Sequence, residues 1–318
     1  MWFKNAQVFE FVEPFDITAE QFAQALDIFA FKSVGTHEVK SMGWIAPMPI
    51  EGAPLVHAAD GCMMVCLRQE EKIIPSSLAK EETQARIQAA EEKLGQKLRK
   101  REREEIKEDV FNSLVTRALS KSMQTYAYID TQKGWLVLDT SSPKKADDFI
   151  ILLRRSLGNL RVKRPEVQEV PMLLTEWLRS NDYPPAFVIA DSCKIKDLEE
   201  GGTINFSKQN LLANEILSLL DGPREISQMA LAWQEQVAFQ LNADFVVKSM
   251  RFLELVQDRA NDMFTETVQD RFDADFAVMT GVMREFLTEL LNVFAKNAQA
   301  PAAEVAEAET ADTETEVA

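Results

Sequence analysis

The chain has 318 residues, of which 46% are hydrophobic and 27% charged, and its formal net charge is -16. This mixture is typical of a globular protein with one large domain or two to three smaller ones. No apolar run reaches the roughly 18 residues of a membrane span, so we expect no membrane-spanning helix. The opening MWFKNAQVFEF lacks the basic and apolar regions of a secretory signal, and we therefore expect a cytosolic location.

The three cysteines are Cys62, Cys66 and Cys193, and none of them forms a CxxC pair. An odd and sparse set of this kind argues against a disulfide framework and against a zinc site. We expect buried, unreactive thiols.

The first predicted element is a strand over residues 2–12, which are rich in aromatic and β-branched side chains. A helix follows, because Phe22, Leu26 and Phe29 recur at helical spacing behind the two cap candidates, Asp16 and Thr18. The stretch SMGWIAPM has the composition of a turn, and CMMVCLRQEEKIIP that of a second strand. This order of elements predicts an α+β fold.

The segment from Ser76 to about Ser120 is rich in helix formers and poor in large apolar residues. Gly95 predicts a break that divides the segment into two helices. A helix that is polar on all sides does not sit in a core, so this segment is predicted to project from the fold or to bridge two parts of it. Within it, RIQAAEEKLGQKLRKREREEIKEDV concentrates positive charge in an acidic protein. Glutamates nearby could instead pair these bases within one solvated helix.

Strand and helix patterns alternate in the remaining chain. QTYAYIDTQKGWLVLDT predicts a hairpin that turns near Gly134, and KKADDFIILLRRSL predicts a helix closed by Gly158. MLLTEWLRS predicts another helix, followed by four strands with a turn over residues 199–202. In the last of these strands, Val246, Lys248, Met250 and Phe252 are expected to share one face. A long helix over roughly residues 266–296 ends the periodic part.

Residues 300–318 contain six acidic residues, no base and no aromatic residue. Such a segment buries too little apolar surface to order itself, so it is predicted to be a disordered acidic tail. It could act as a solubiliser, or it could compete with nucleic acid for a basic surface. The sequence pI of about 4.7 is partly due to this tail, so net charge does not exclude a local DNA-binding face.

The sequence contains no phosphate-binding, metalloprotease or serine-hydrolase motif, and neither His37 nor His57 belongs to a nucleophile motif. The best acidic cluster is Asp270, Asp273 and Asp275 in QDRFDADF. A magnesium-dependent nuclease would need such carboxylates, but helix capping and pairing with Arg271 are the simpler explanation, and no basic or catalytic residue accompanies the cluster. We therefore predict no catalytic residues, no metal site and no cofactor.

Several segments, in order along the chain, resemble the RdgC family of recombination-associated proteins. They are WFKN at 2–5, MGWIAPM at 42–48, EEKIIP at 70–75, KKADDFIILLRRSLG at 144–158, TEWLRS at 175–180, GG at 201–202, SKQNL at 207–211, LAW at 231–233 and QDRFDADFAVMTG at 269–281. The resemblance extends to about residue 295 and does not include the acidic tail.

The resemblance implies a cytoplasmic, nucleoid-associated bacterial protein that is not an enzyme. It implies binding to single- and double-stranded DNA with little sequence preference, and a ring-shaped homodimer around a basic hole. It also implies restraint of the RecA recombinase, which is then a functional partner. No membrane partner is implied.

The resemblance also assigns roles to individual residues. Lys208 and Gln209 match the family's DNA-contacting SKQ segment, and Arg224 stands where the family has a lysine. Lys248 and Arg251 match a basic pair on a strand. Leu119 matches an aromatic residue at a contact between subunits at the tip of the helical segment, so we expect it to lie near the bases of that segment. From the charge of the helical segment itself, we add Lys97, Arg99, Lys100 and Arg103 as candidates for DNA contact.

Together, these observations predict an α+β subunit of several parts with a projecting helical finger. Residues 1–75 and 121–164 would form a central domain, residues 76–120 the finger or tip, residues 165–296 an α+β base domain and residues 297–318 the disordered tail. Two alternatives remain open. One is a nuclease using Asp270, Asp273 and Asp275, and the other is a protein-interaction scaffold with a helical arm.

Overall fold

The computed structural model describes residues 2–263 and 266–296. The strands are β1 (Gln7–Phe11), β2 (Lys40–Ile45), β3 (His57–Ala59), β4 (Cys62–Lys72), β5 (Ser120–Asp130), β6 (Trp135–Leu138), β7 (Val162–Lys163), β8 (Phe187–Asp197), β9 (Thr203–Ser207), β10 (Arg224–Trp233), β11 (Val237–Asn242) and β12 (Val247–Phe252). The helices are α1 (Ala19–Asp27), α2 (Ser76–Leu94), α3 (Lys100–Arg117), α4 (Pro143–Leu157), α5 (Val170–Ser180), α6 (Asn214–Leu217), α7 (Glu254–Asn261) and α8 (Val268–Phe294), with a 3-10 turn at Ser218–Asp221. The predicted acidic tail lies outside the described residues.

Two antiparallel sheets organise these elements, and the predicted α+β class is confirmed. The larger sheet has seven strands in the order β2-β4-β5-β6-β1-β7, with β3 paired to β4. The smaller sheet has five strands in the order β12-β11-β10-β8-β9. Helices α1 and α4 cover one face of the larger sheet, where Phe22, Leu26 and Phe149 are buried among residues of β4 and β5.

Helix α8 joins the two sheets into one continuous core. Its 27 residues give it a length of about 40 Å. Near its start, Phe276 packs edge-on against Tyr128 of the larger sheet. Further along, Phe286 packs against Trp233 and Phe239 of the smaller sheet. Both faces of the larger sheet are therefore buried, whereas the smaller sheet packs only one face against α5 and α8.

The first strand is shorter than the sequence predicts. Only Gln7–Phe11 belongs to the larger sheet, because the preceding residues pair elsewhere. The Ala6 N–H donates to the Val247 carbonyl at 2.9 Å, and the Met250 N–H donates to the Lys4 carbonyl at 2.8 Å. The N-terminal segment therefore extends along the edge strand β12 of the smaller sheet and ties the two sheets together.

The prediction of a turn at SMGWIAPM is wrong over its first half, which lies in strand β2. Its glycine serves close packing instead of a turn. A Cβ atom on Gly43 would lie 2.4 Å from the Phe31 Cα atom, so only glycine allows the Phe31 backbone to approach β2 this closely.

Most other predicted elements are confirmed. Thr18 caps α1 in a reciprocal capping box with Gln21. The β5–β6 hairpin turns through Gly134 at a φ of 67°, and Gly158 ends α4. Gly95 separates α2 from α3 in the left-handed conformation, at a φ of 67°.

Helices α2 and α3 form an antiparallel hairpin inserted between β4 and β5. Ion pairs connect them at both ends, from Glu91 to Arg103 at 2.8 Å and from Glu82 to Arg117 at 3.3 Å. The turn between the helices is the end of the hairpin that is most distant in sequence from β4 and β5. Whether this hairpin acts as a finger, and whether the domain division holds, both stay predictions.

Candidate nucleic-acid interface

The exposed face of the five-stranded sheet carries a group of polar and basic side chains, which we call the outer sheet face. Paired residues in antiparallel strands project to the same side, so the strand register defines this group. Its members are Lys194, Lys196, Asn205, Gln228, Gln240, Asn242, Lys248 and Arg251. Buried residues alternate with them, as Cys193 and Ile195 do in β8. The sheet thus has an apolar inner face and a polar outer face.

A β-bulge in β12 decides where its two bases point. Lys248 and Arg251 are three residues apart and would face opposite sides of a regular strand. Ser249 has a φ of 49°, and the register skips from Lys248 opposite Gln240 to Arg251 opposite Ala238. The extra residue turns both bases to the outer sheet face. The predicted face shared by Val246, Lys248, Met250 and Phe252 is therefore wrong at Lys248.

The bases of the outer sheet face are free of close acidic partners within the part of the chain that the structure describes. None of Lys194, Lys196, Lys248 and Arg251 has a described carboxylate oxygen within 4.0 Å. Glu225 lies opposite Lys196 in the register without forming such a pair. Lys194 and Lys196 were not among the candidate residues from sequence. The alternation of these lysines with apolar residues in CKIK is nevertheless a pattern that could have indicated an exposed basic face on this strand.

Lys208 and Gln209 follow β9 at one end of the same sheet. Lys208 is exposed and has a φ of 56°, a conformation that lysine rarely adopts. The Gln209 N–H donates to the Asp191 carbonyl at 3.0 Å, which holds the segment against β8. Both residues therefore lie beside the outer sheet face, across the sheet from Lys248 and Arg251.

Arg224 does not belong to this group. It starts β10 opposite Asp197 and has the same side-chain direction as the buried Ile226. Its Nε donates to the Asp197 carboxylate at 3.0 Å. The pKa of Asp197 is lowered, first by the Glu200 backbone N–H and also by Arg224, so this carboxylate stays charged and keeps its partner. Lys208 and Arg224 lie roughly 20 Å apart along the strands by residue rise.

The four candidate bases on the helical hairpin cluster at the α2–α3 turn, but they differ in whether an acidic side chain holds them. Lys97, Arg99 and Lys100 are exposed. Arg103 is bound to Glu91, whose carboxylate also accepts the Leu98 N–H at 3.0 Å. These contacts lower the pKa of Glu91, mainly through the Leu98 N–H, so the link persists in acid better than an ordinary glutamate pair. The turn is thus braced by Arg103 and leaves the other three bases exposed.

Leu119 lies at the opposite end of the hairpin from these bases. It follows α3, and its carbonyl accepts the Ile73 N–H at 2.8 Å beside the start of β5. Its side chain is 80% exposed. The 18 residues of α3 separate it from the turn by about 27 Å. The expectation that Leu119 neighbours the basic turn is therefore wrong.

The three aspartates proposed for a metal site do not converge. Asp270 accepts the N–H of Thr267 at 2.9 Å in the capping box of α8. Asp275 pairs with Arg271 at 3.2 Å, and Asp273 lies 3.2 Å from the His57 ring. Among residues 2–263 and 266–296, no group of three or more acidic, histidine or cysteine side chains could hold a metal ion. The capping and ion-pairing explanation of Asp270 and Asp275 is confirmed.

None of the described helices is both long enough and apolar enough to cross a membrane.

Comparison with known proteins gives a consistent result. A family model described as "Putative exonuclease, RdgC" matches residues 1–297. Relatives named "Recombination-associated protein RdgC" include one from Aeromonas hydrophila, 35% identical over 91% of this chain and 96% of its own length. Those from Tolumonas auensis and Serratia proteamaculans are 36% and 35% identical, over 92% and 94% of this chain and 97% and 99% of their own lengths. Because the family model and these relatives match nearly the whole chain, the protein belongs to the RdgC family.

Proposed function

We propose that this protein binds single- and double-stranded DNA through its outer sheet face, with little sequence preference, and thereby restrains RecA-mediated recombination. The observation that carries the proposal is the set of four bases, Lys194, Lys196, Lys248 and Arg251, on one sheet face of a protein with a net charge of -16. The name that the relatives share, which associates them with recombination, supports the same function.

The mechanism is electrostatic. Lysine and arginine neutralise phosphates and release the counterions condensed on DNA, so binding weakens as salt rises. Phosphate contacts position a protein without reading its sequence, which accounts for a low sequence preference. The amide side chains between the bases fit this surface. The Gln228 Nε2 donates to the Gln240 Oε1 at 2.6 Å and leaves further polar atoms free for phosphate or sugar.

The test compares two variants with the same change in net charge. The outer-face variant replaces Lys194, Lys196, Lys248 and Arg251 by alanine. The control variant replaces four bases near helix α4 and the larger sheet, Lys32, Lys144, Lys145 and Arg155. Fluorescence anisotropy with a duplex is measured across a salt series. The outer-face variant should reduce the log–log salt slope by up to about 3.6, at about 0.9 per phosphate contact. An equal loss in the control variant would assign binding to overall charge and refute the proposal.

We further propose that two subunits close into a ring around DNA and that the protein is nucleoid-associated. The Leu119 side chain, which is 80% exposed, offers an apolar contact for one of the subunit interfaces. A closed ring should leave covalently closed circular DNA more slowly than short linear DNA, because one interface must open first. Equal lifetimes of the two complexes in a competitor chase would exclude ring closure.

The α2–α3 hairpin is proposed as the finger that captures DNA before closure. Lys97, Arg99 and Lys100 at its turn are exposed, and long-range charge attraction acts chiefly on association. Their replacement by alanine should lower the association rate and leave the dissociation rate nearly unchanged in stopped-flow measurements. A change confined to dissociation would give these bases a different role. Arg103 braces the turn against Glu91, so its replacement also tests the hairpin itself.

A nuclease activity is the alternative favoured by the words of the family description. We propose instead that the protein is not an enzyme and uses no cofactor, since Asp270, Asp273 and Asp275 have separate partners. Incubation with plasmid and Mg²⁺ tests this. Nicking that disappears in an Asp273→Ala variant would overturn the proposal. A salt-independent affinity would instead favour the protein-interaction scaffold.

A further inference from the structure

A groove of about 890 Å³ crosses the outer sheet face. Its floor is formed largely by small side chains, where larger residues would fill the space. They are Ala190, Ser192, Ala230, Ala238 and Ser249. Irregularities in β8 and at Ser249 in β12 interrupt the register on both sides of this floor. The depression is therefore built into the sheet by residue size and by the bulges.

An aromatic side chain forms one wall of the groove. Trp2 is only partly buried, and its ring centroid lies 4.9 Å from that of Phe252, which packs behind it. The chain beside Trp2 is held by hydrogen bonds. The Phe3 N–H points to the Met279 sulfur at 3.3 Å, and the Lys4 carbonyl accepts the Met250 N–H at 2.8 Å. Trp2 thus offers part of its indole surface to the groove, with Phe252 behind it.

The charge around the groove is divided. Lys4 and Arg251 line it on the side of β12, and Lys248 is the neighbouring base on the same face. Asp191 and Glu254 also belong to its lining. Phosphates would therefore be drawn to Lys4, Lys248 and Arg251, and repelled from Asp191 on β8 and from Glu254 just after β12.

We propose that this groove binds unpaired nucleotides of single-stranded DNA, with a base stacked on Trp2 and its phosphates on Lys4 and Arg251. The inference rests on the proposed function of the outer sheet face and adds a second mode of binding to it. A duplex keeps its bases stacked and paired, so it can use only the phosphate contacts. An unpaired base has a free ring face, and aromatic side chains beside a basic groove are a common platform for such bases. The volume lies within the range of about 300–1,000 Å³ usual for small-ligand sites.

The test uses two independent ways to disable the groove. Trp2→Ala removes the stacking surface, and Ala238→Phe fills the floor without removing a charge. Thr203→Val is the control, since this exposed residue of β9 is assigned no DNA contact and does not line the groove. The ligands are a labelled oligothymidylate and a duplex of the same length, measured by anisotropy at one salt concentration. Circular dichroism checks that each variant is folded, and Trp2→Phe serves as the conservative rescue.

Both groove variants should weaken oligothymidylate binding by at least about five-fold, the lower limit for loss of one stacked base. Duplex affinity should stay within about two-fold of the unmodified protein, and Thr203→Val should change the affinity for either ligand by no more than about two-fold. Unchanged oligothymidylate affinity, or an equal loss for both ligands, would overturn the inference. That failure is distinct from failure of the proposed function, in which duplex binding would not depend on Lys194, Lys196, Lys248 and Arg251.

Discussion

The ion pair between Asp130 and Arg284 predicts a large and specific loss of stability when its arginine is removed. Asp130 ends β5 in the larger sheet, and Arg284 lies in the middle of α8. The Arg284 Nε donates to the Asp130 carboxylate at 2.6 Å, and the same guanidinium reaches the Asp60 carbonyl at 3.2 Å. The Asp130 side chain is only 1% exposed, whereas that of Arg284 is 22% exposed.

Replacing Arg284 by alanine leaves a buried carboxylate without its cation. Removing one partner of a buried pair costs about 3–5 kcal/mol. Here the lower part of that range applies, because Asp130 also accepts the backbone N–H groups of Gln132 and Lys133, each at 3.0 Å. We expect Arg284→Ala to reduce the free energy of unfolding by about 3 kcal/mol. The exposed pair Arg101–Glu105 supplies the control, and Arg101→Ala should cost at most about 0.5 kcal/mol.

Urea unfolding followed by circular dichroism and tryptophan fluorescence measures both losses. A double-mutant cycle with Asp130→Asn then separates the pair energy from other effects of the arginine. Since the two residues are in direct contact, the cycle should give a coupling energy well above about 0.5 kcal/mol. A loss below about 1 kcal/mol for Arg284→Ala, or additive single losses, would refute the view that this pair couples α8 to the larger sheet.

Three further predictions concern packing, pH and the acidic tail. Gly43→Ala should cost about 1–3 kcal/mol in urea unfolding, because its Cβ would lie 2.4 Å from the Phe31 Cα; a neutral effect would contradict the close approach. Burial lowers the pKa of His57, against a smaller opposing effect of Asp273, so the unfolded chain takes up the proton first as the pH falls below about 6.5. The free energy of unfolding should therefore decrease below that pH, and His57→Gln should flatten this part of its pH dependence. An unchanged pH dependence in the variant would show that His57 does not cause the decrease. Deleting residues 297–318, which include six acidic residues and no basic residue, should strengthen DNA binding at low salt and have less effect at high salt. Equal affinities of the full-length and shortened proteins at low salt would indicate that the segment serves only solubility.

Local sequence patterns determined most of the secondary structure. The capping box at Thr18, the left-handed Gly95 and the hairpin turn at Gly134 follow from short-range chemistry, which one chain segment contains in full. The ordered family segments likewise identified the family without any coordinates. The same patterns misjudged SMGWIAPM, because the packing of the Phe31 backbone against Gly43 is a long-range contact that composition does not reveal.

Only the tertiary structure decided which bases lie together on one surface. A period-two pattern placed Lys248 on the same face as Met250 and Phe252, whereas the bulge at Ser249 turns it to the opposite face beside Arg251. The same chain folding separates Arg224 from Lys208, moves Leu119 away from the basic turn and brings Trp2 and Lys4 to the edge of a sheet that begins far along the chain. The physical reason is that strand register and edge pairing are set by contacts between residues distant in sequence, whereas a pattern within one segment records only its local period.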